Sequence, residues 1–346
     1  MSIHIRTYPR AGLIGNPSDG FFGRTIAFTF DHFSADLVLK AAEGLTLYDT
    51  RGMPHRFPSI PAFCGQVTSH GHIQEIKLLS ATVKRFYDHA ARHHASRLDD
   101  IATSGLSIRC VSTIPYQLGF AGSSAIIIAA FRALCQYFGV DIAPHRLANL
   151  ALETETEELG IAGGLQDRVA QVYDGLVYMD FDQELMESRG YGDYVPLNPE
   201  PLKDLYIAYR QAASESSGVF HNDPREQFAN GRPEMLDAIE CWKRLTASAR
   251  RMIDAGEVEG LGKLLNENFD QRAGLYNLDP ANSEMVYTAR KLGASAKFTG
   301  SGGGIIGCYG QESVYQNLVD TFREMGVEVF KPNVVRPPEQ GAYDHS

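Results

Sequence analysis

The chain has little that would mark a nucleic-acid, membrane or disulfide-built protein. Basic residues are outnumbered: 32 Lys and Arg stand against 42 Asp and Glu, a formal net charge of −10. That balance excludes a broad basic face for nucleic acid but leaves room for a few local arginines around a small anion. No apolar run is long enough to span a bilayer. The opening Met1-Ser-Ile-His-Ile-Arg6 lacks the apolar core of a signal peptide. Cysteines number only five. Cys64, Cys110, Cys135, Cys241 and Cys308 are scattered, mostly among apolar residues, without metal-ligand spacing. They read as reduced core thiols of a cytoplasmic protein. Histidines occur in two groups, His70/His72 and His89/His93/His94. The second lies on a polar helix face with no partnering carboxylate pattern, which reads as a solvated face rather than a metal site. There is no internal repeat and no low-complexity segment.

Glycine, by contrast, is concentrated where chemistry would want it. The run Pro115-Tyr-Gln-Leu-Gly-Phe-Ala-Gly-Ser-Ser-Ala125 packs small residues into a turn and then enters an apolar stretch, residues 126–134. It reads as a glycine-rich loop opening a buried helix. Gly119, Ala121 and Gly122 let backbone approach a ligand. Ser123 and Ser124 fall where the first helical N–H groups have no partner inside the helix. Those N–H groups and the helix dipole favour an anion, and phosphate is the usual occupant. An ordinary tight turn with a serine cap has the same local pattern.

Two further runs add to it. In Ala162-Gly-Gly-Leu-Gln-Asp-Arg168 a double glycine precedes a helix whose first turn holds Asp167 beside Arg168. Helix start and adjacent cation both favour the carboxylate form. Upstream, Glu153, Glu155, Glu157 and Glu158 crowd one helix, and one of them pointing toward Ser124 would suit Mg²⁺. The last run, Lys297-Phe-Thr-Gly-Ser-Gly-Gly-Gly304, lies between two strand-like stretches. It is either a loop close to a ligand or a tight turn between packed elements.

At 346 residues the chain accommodates two domains, each with its own core. Ile26, Phe28 and Phe30 alternate as in a half-buried strand, with a second strand over residues 34–40. Helical spacing runs from Ile73 to about Leu98. Strands are expected at 107–112, 175–181, 205–209, 297–299, 305–309 and 328–330, and helices at 147–159, 164–173, 234–255, 258–276 and 283–292. The Gly, Pro and Asn content of 190–204 marks the boundary, giving domains 1–195 and 196–335 with a tail at 336–346. Residues 211–233 form a long polar loop.

Together the three runs, in order and separation, resemble the GHMP kinases, a family of small-molecule kinases. The phosphate loop carries one residue more than the family's Gly-Leu-Gly-Ser-Ser. Gly15-Asn-Pro-Ser-Asp19 with Phe22-Gly-Arg-Thr25, residues 164–173 and residues 297–303 are most similar to the glucuronokinase branch. The resemblance implies an α+β fold of an N-terminal α/β sandwich and a C-terminal ferredoxin-like domain. It implies ATP over Pro115 and Gly119 to Ala125, and Mg²⁺ on Ser124 and Glu155, with Glu158 the rival. Asp167 matches the family's base, and Arg10 its basic position before the substrate loop. Asn16, Asp19, Arg24, Arg168, Gly300, Ser301 and Gly302 are the candidate substrate contacts, Arg24 or Arg168 serving a sugar-acid carboxylate. Arg24 reads equally as a surface strand residue. His221 or Arg225, in the run Ser217-Gly-Val-Phe-His-Asn-Asp-Pro-Arg225, is expected to reach the phosphates. The implied activity is ATP-dependent phosphorylation of the anomeric hydroxyl of D-glucuronate. Open alternatives are another acceptor of the family (galactose, arabinose, a heptose phosphate, a mevalonate-type acid) or a non-catalytic sugar-binding relative.

Overall fold

The computed structural model describes residues 2–210 and 224–336. The run containing His221 therefore lies outside the described residues, apart from its last two positions. The strands are β1 (Ser2–Thr7), β2 (Arg10–Ile14), β3 (Arg24–Thr29), β4 (Ala35–Ala41), β5 (Leu45–Tyr48), β6 (Pro54–Phe57), β7 (Leu106–Ser112), β8 (Leu176–Asp180), β9 (Asp193–Leu197), β10 (Leu205–Arg210), β11 (Lys297–Phe298), β12 (Gly304–Cys308) and β13 (Val327–Phe330). The helices are α1 (Ile60–His70), α2 (Lys77–His93), α3 (Ala95–Thr103), α4 (Gly122–Phe138), α5 (Pro144–Glu153), α6 (Leu165–Tyr173), α7 (Gln183–Arg189), α8 (Pro224–Ala229), α9 (Pro233–Ala255), α10 (Leu261–Leu275), α11 (Pro280–Lys291) and α12 (Glu312–Glu324).

Three sheets organise the molecule, in the orders β1-β4-β7-β5-β6, β2-β3-β8-β9 and β11-β12-β10-β13. Helix α4 is apolar nearly all round, with Ile127, Ile128, Phe131 and Leu134 buried. A helix of that pattern belongs inside a core, and α4 packs against β1, β4, α2 and α6. Its position brings the glycine-rich loop at its start to the middle of the molecule.

Strand β3 is buried on both faces, not half-buried. Ala27 faces the core built around α4, while Ile26 and Phe28 face a second core with Trp242 of α9. Helix α9 packs on one side of β3 and α6 on the other, so neither face of this strand is left for water. The second core draws on Ala11, Leu13 and Phe120 as well as Leu205, Trp242 and Ile306. The two halves of the chain thus share a core, beside the one each has to itself. The expected boundary at residue 195 falls inside β9, whose residues Asp193–Leu197 pair with β8.

Other expectations shift locally. The helix from Ile73 to Leu98 is two helices, separated at His94, whose N–H bonds Ala90 O at 2.8 Å. His89 is buried rather than solvated, and burial with the neighbouring His93 pushes its imidazole down to about 4. The helix at 147–159 ends in a π-helical turn over Thr154–Glu158. The segment after Lys331 is extended and pinned as far as the described residues run: Val335 N–H bonds Thr29 O at 2.9 Å. Among the described residues no helix is long and apolar enough to cross a membrane, and no group of three or more His, Cys, Asp or Glu could hold a metal ion. The cysteines are free.

Candidate active site

The glycine-rich loop leaves β7 and is anchored by the buried side chains of Ile114, Leu118 and Phe120. Its turn into α4 is left-handed at Gln117, Gly119 and Ala121. No side chain caps α4, and the first helical N–H to find a helical partner is that of Ala125, on Ala121 O at 3.2 Å. The N–H groups of Gly122, Ser123 and Ser124 are left for a ligand, which suits phosphate. Pro115 and Gly119 are half-buried on this loop.

Ser124 takes a different part. Its Oγ is buried and donates to Gln171 Oε1 at 2.6 Å and to Ala121 O at 3.2 Å. Gln171 Nε2 in turn donates to Tyr8 O and Ala121 O, each at 2.9 Å. This lock fixes the left-handed residue at the helix entrance. Gln171 was given no role from sequence; its one signal was its position one turn after Asp167 on the same helix.

At the start of α6, Asp167 accepts from Arg10 Nε at 2.6 Å and pairs with its Nη2 at 2.5 Å. Burial alone would push the carboxyl up. The Arg10 charge, then that of Arg168, outweighs burial and holds Asp167 below the usual carboxylate range. Its side chain remains partly exposed, 21 % against 5 % for Arg10, so an acceptor can reach it.

Arg10 also ties the three runs together. Its Nη1 donates to Gly119 O at 2.8 Å and to Thr299 O at 2.9 Å. The loop of Gly300, Ser301 and Gly302 packs backbone to backbone on the first loop: a Cβ at Gly300 would meet Gly119 O at 2.6 Å. The tight-turn reading of that run is realised, and the turn is what lets the two loops meet.

The substrate loop is held from the opposite side. Asn16 is buried, its Oδ1 accepting from Lys297 Nζ at 2.5 Å and its Nδ2 donating to Phe298 O at 3.3 Å. Asn268 accepts from Gly15 N at 2.6 Å and donates to Asn16 O at 3.0 Å. Asn16 is therefore a structural tie rather than an exposed contact. Asp19, on a 3-10 turn over Ser18–Phe21, reaches the start of α6, where its Oδ2 accepts from Gln166 N at 3.3 Å. A Cβ on Gly164 would lie 2.1 Å from that oxygen, which explains the double glycine. Burial, then the Asp167 charge, pushes Asp19 up to about 6.

Both arginines expected to meet a carboxylate are engaged elsewhere. Arg24 pairs with Asp180, directly across from it on β8, at 2.7 Å. Arg24 is half-buried at the start of β3, and this cross-strand pair holds its guanidinium. Arg168 is buried, with Nε on Glu155 Oε2 at 2.8 Å, Nη2 on the same oxygen, and Nη1 on Gly164 O at 2.8 Å. The same contacts bear on the metal pair. Glu155 is closed by the Arg168 fork and Ser124 by Gln171, so as placed the two do not fit a divalent cation. Glu158 faces His72, Lys84 and Arg85, and these, the His72 hydrogen bond foremost, take it down to about 2.

Residues 81–175 match the model of the GHMP kinases N terminal domain. The chain is 34% identical over 316 residues to Glucuronokinase 1 of Arabidopsis thaliana, covering 88% of this chain and 84% of that one. It is 36% identical over 313 residues to Probable glucuronokinase 2 of the same plant, covering 87% and 82%. The fold matches the crystal structure of the Methanococcus jannaschii mevalonate kinase with TM-score 0.74 at 18% identity, over 97% of this chain and 99% of the other. It matches Lactococcus lactis galactokinase complexed with galactose with TM-score 0.73 at 15% identity, over 96% and 93%.

Proposed function

The chain belongs to the GHMP kinase family, and on that premise we propose that it transfers the γ-phosphoryl group of ATP to the anomeric hydroxyl of D-glucuronate. Phosphotransfer to an alcohol is the activity of its relatives as a class; the acid sugar, the nucleotide contacts and the base are our reading. The observation that carries it is the junction at Arg10. One guanidinium joins the uncapped entrance of α4, through Gly119 O, to the partly exposed carboxylate of Asp167.

Phosphoryl transfer asks a protein mainly for positioning and charge neutralisation. The free N–H groups of Gly122 and Ser123 would receive nucleotide phosphate. Asp167, kept ionised by Arg10, would accept the acceptor's hydroxyl proton as the oxygen attacks phosphorus. Asp19 would hold a neighbouring sugar hydroxyl. A divalent ion accompanying the nucleotide would supply charge neutralisation, but no step is assigned to Ser124 and Glu155 as its ligands. We place the division between the two domains after Leu197, where β9 ends.

The test is ADP release from ATP with the purified chain, screened over D-glucuronate, D-galactose, L-arabinose, a heptose phosphate and mevalonate. Turnover on D-glucuronate well above every other acceptor is expected. Equal or faster turnover on a neutral sugar sinks the uronate assignment and leaves a sugar kinase. No ADP release with any acceptor removes the kinase reading.

A further inference from the structure

With Arg24 and Arg168 engaged, the site lacks the cation that the sequence assigned to a substrate carboxylate. A count of N–H donors finds another. A lysine ammonium has three donors and a guanidinium five. Lys297 uses all three, on Gly12 O at 2.8 Å, Asn16 Oδ1 at 2.5 Å and Phe298 O at 2.7 Å. Arg10 uses its donors on Asp167, Gly119 O and Thr299 O. Arg168 uses its own on Glu155 and Gly164 O.

Arg272, on α10, stands apart. It is buried, 8 % exposed, on the glycine-rich loop after β11. Its Nη1 donates to Gly300 O at 2.7 Å and its Nη2 to Ser301 O at 3.2 Å. Nε has no partner, and no carboxylate of the described residues lies within ion-pair distance. The guanidinium rests over Phe298 at 5.3 Å and Tyr276 at 5.5 Å. Two backbone carbonyls fix its orientation, and among the described residues nothing takes its other three N–H groups and no carboxylate pairs with its charge. Asp19, the candidate sugar contact, is the carboxylate whose charge reaches it. A buried cation without a counter-ion is costly to keep, and a ligand anion removes that cost.

We propose that Arg272 is the specificity residue that pairs with the carboxylate of the acceptor sugar acid. The two carbonyls of Gly300 and Ser301 orient the fork, and the acid supplies the missing counter-charge. Planar, bidentate recognition of a carboxylate is what a guanidinium provides and an ammonium does not. A neutral acceptor of the same shape leaves the charge buried and unpaired, so the site discriminates against it. This inference rests on the acid-sugar reading above.

The test compares D-glucuronate with D-glucuronamide, its neutral amide, in wild type, Arg272→Met and Arg272→Lys, measuring kcat and KM for each acceptor, KM for ATP and the melting temperature. Wild type is expected to favour glucuronate by about 100-fold or more, and Arg272→Met to reduce that preference by about 30-fold or more, chiefly through KM. Arg272→Lys, which keeps the charge and loses the fork, should fall between and serves where the Met variant does not fold. A wild type that uses both acceptors equally overturns the acid-sugar reading together with this one. A wild type that discriminates while both variants keep its full preference overturns the role of Arg272 alone. So does a rise in KM for ATP in place of the acceptor, which would put the guanidinium on phosphate, or an equal loss on both acceptors, which would mark a support for the loop.

Discussion

Arg10 and Asp167 meet through two nitrogens of one guanidinium, at 2.6 and 2.5 Å, across 157 residues of chain. The same guanidinium holds Gly119 O and Thr299 O. One side chain therefore sets the ionisation of the candidate base and the spacing of the two glycine-rich loops. A pair of this kind, with one partner buried and the other more open, keeps the carboxylate charged.

Asp167→Asn should lower kcat by roughly 100-fold or more, the usual scale for losing a general base, while ATP binding is kept. Steady-state kinetics with nucleotide titration checks it. Near-wild-type turnover would take Asp167 out of the chemistry.

Arg10→Met should move the acidic limb of the kcat profile upward, because the largest influence lowering the Asp167 carboxyl is removed and burial is left unopposed. Stability should fall as well, since Gly119 O and Thr299 O lose their donor. A variant of normal stability whose pH profile has not moved contradicts the pairing.

Asp19 gives a pH dependence of the opposite sign. Its folded value, about 6, lies above the unfolded 3.8, so the folded state binds more protons between the two. Stability carried by this group is complete below about pH 4 and falls as pH rises toward 6. Asp19→Asn should flatten the melting-temperature profile in that window and raise the acceptor KM. An unchanged slope between pH 4 and 6 would mean that Asp19 titrates normally.

Asn268→Ala leaves Gly15 N–H and Asn16 O buried without partners, at a cost of about 2–4 kcal/mol for the two. Urea unfolding should read that loss, and acceptor KM should rise because the loop carrying Asp19 is no longer held. A loss within error of zero shows that the loop is retained by other contacts.

Ser124→Ala should cost both stability and activity, because Gln171 Oε1 loses its donor and the left-handed turn at Ala121 loses its lock. The loss of stability should be about 1–3 kcal/mol. Loss of turnover at unchanged stability would instead mark the hydroxyl as a direct ligand of nucleotide or metal.

Much of the site was legible because it is local. A helix start needs orphan N–H groups and small residues before it, and residues 115–125 carry both. Asp167 beside a double glycine is local too, and Gly164 proves to be required by the approach of Asp19. What sequence missed are partners distant in the chain. Arg24 looked free until β3 and β8 placed Asp180 opposite it. Glu155 looked like a metal ligand until the π-helical turn put it in the fork of Arg168. Arg272 gave no signal at all, and Lys297 only its place at the head of a glycine-rich run, since a charged residue on an amphipathic helix or in a short strand is usually solvated.

The sequence by itself determined which segments turn, which helices are buried and where a helix starts with unpartnered N–H groups, since turn chemistry, periodicity and helix ends act over a few residues. Only the tertiary structure decided which charges remain uncompensated. Ion pairs form between residues as far as 157 positions apart, and whether an arginine is paired or free depends on what the packed sheets bring within about 4 Å of it. Arg10 and Arg272 have the same side chain and are both buried. The fold gives one a carboxylate and, among the described residues, leaves the other without.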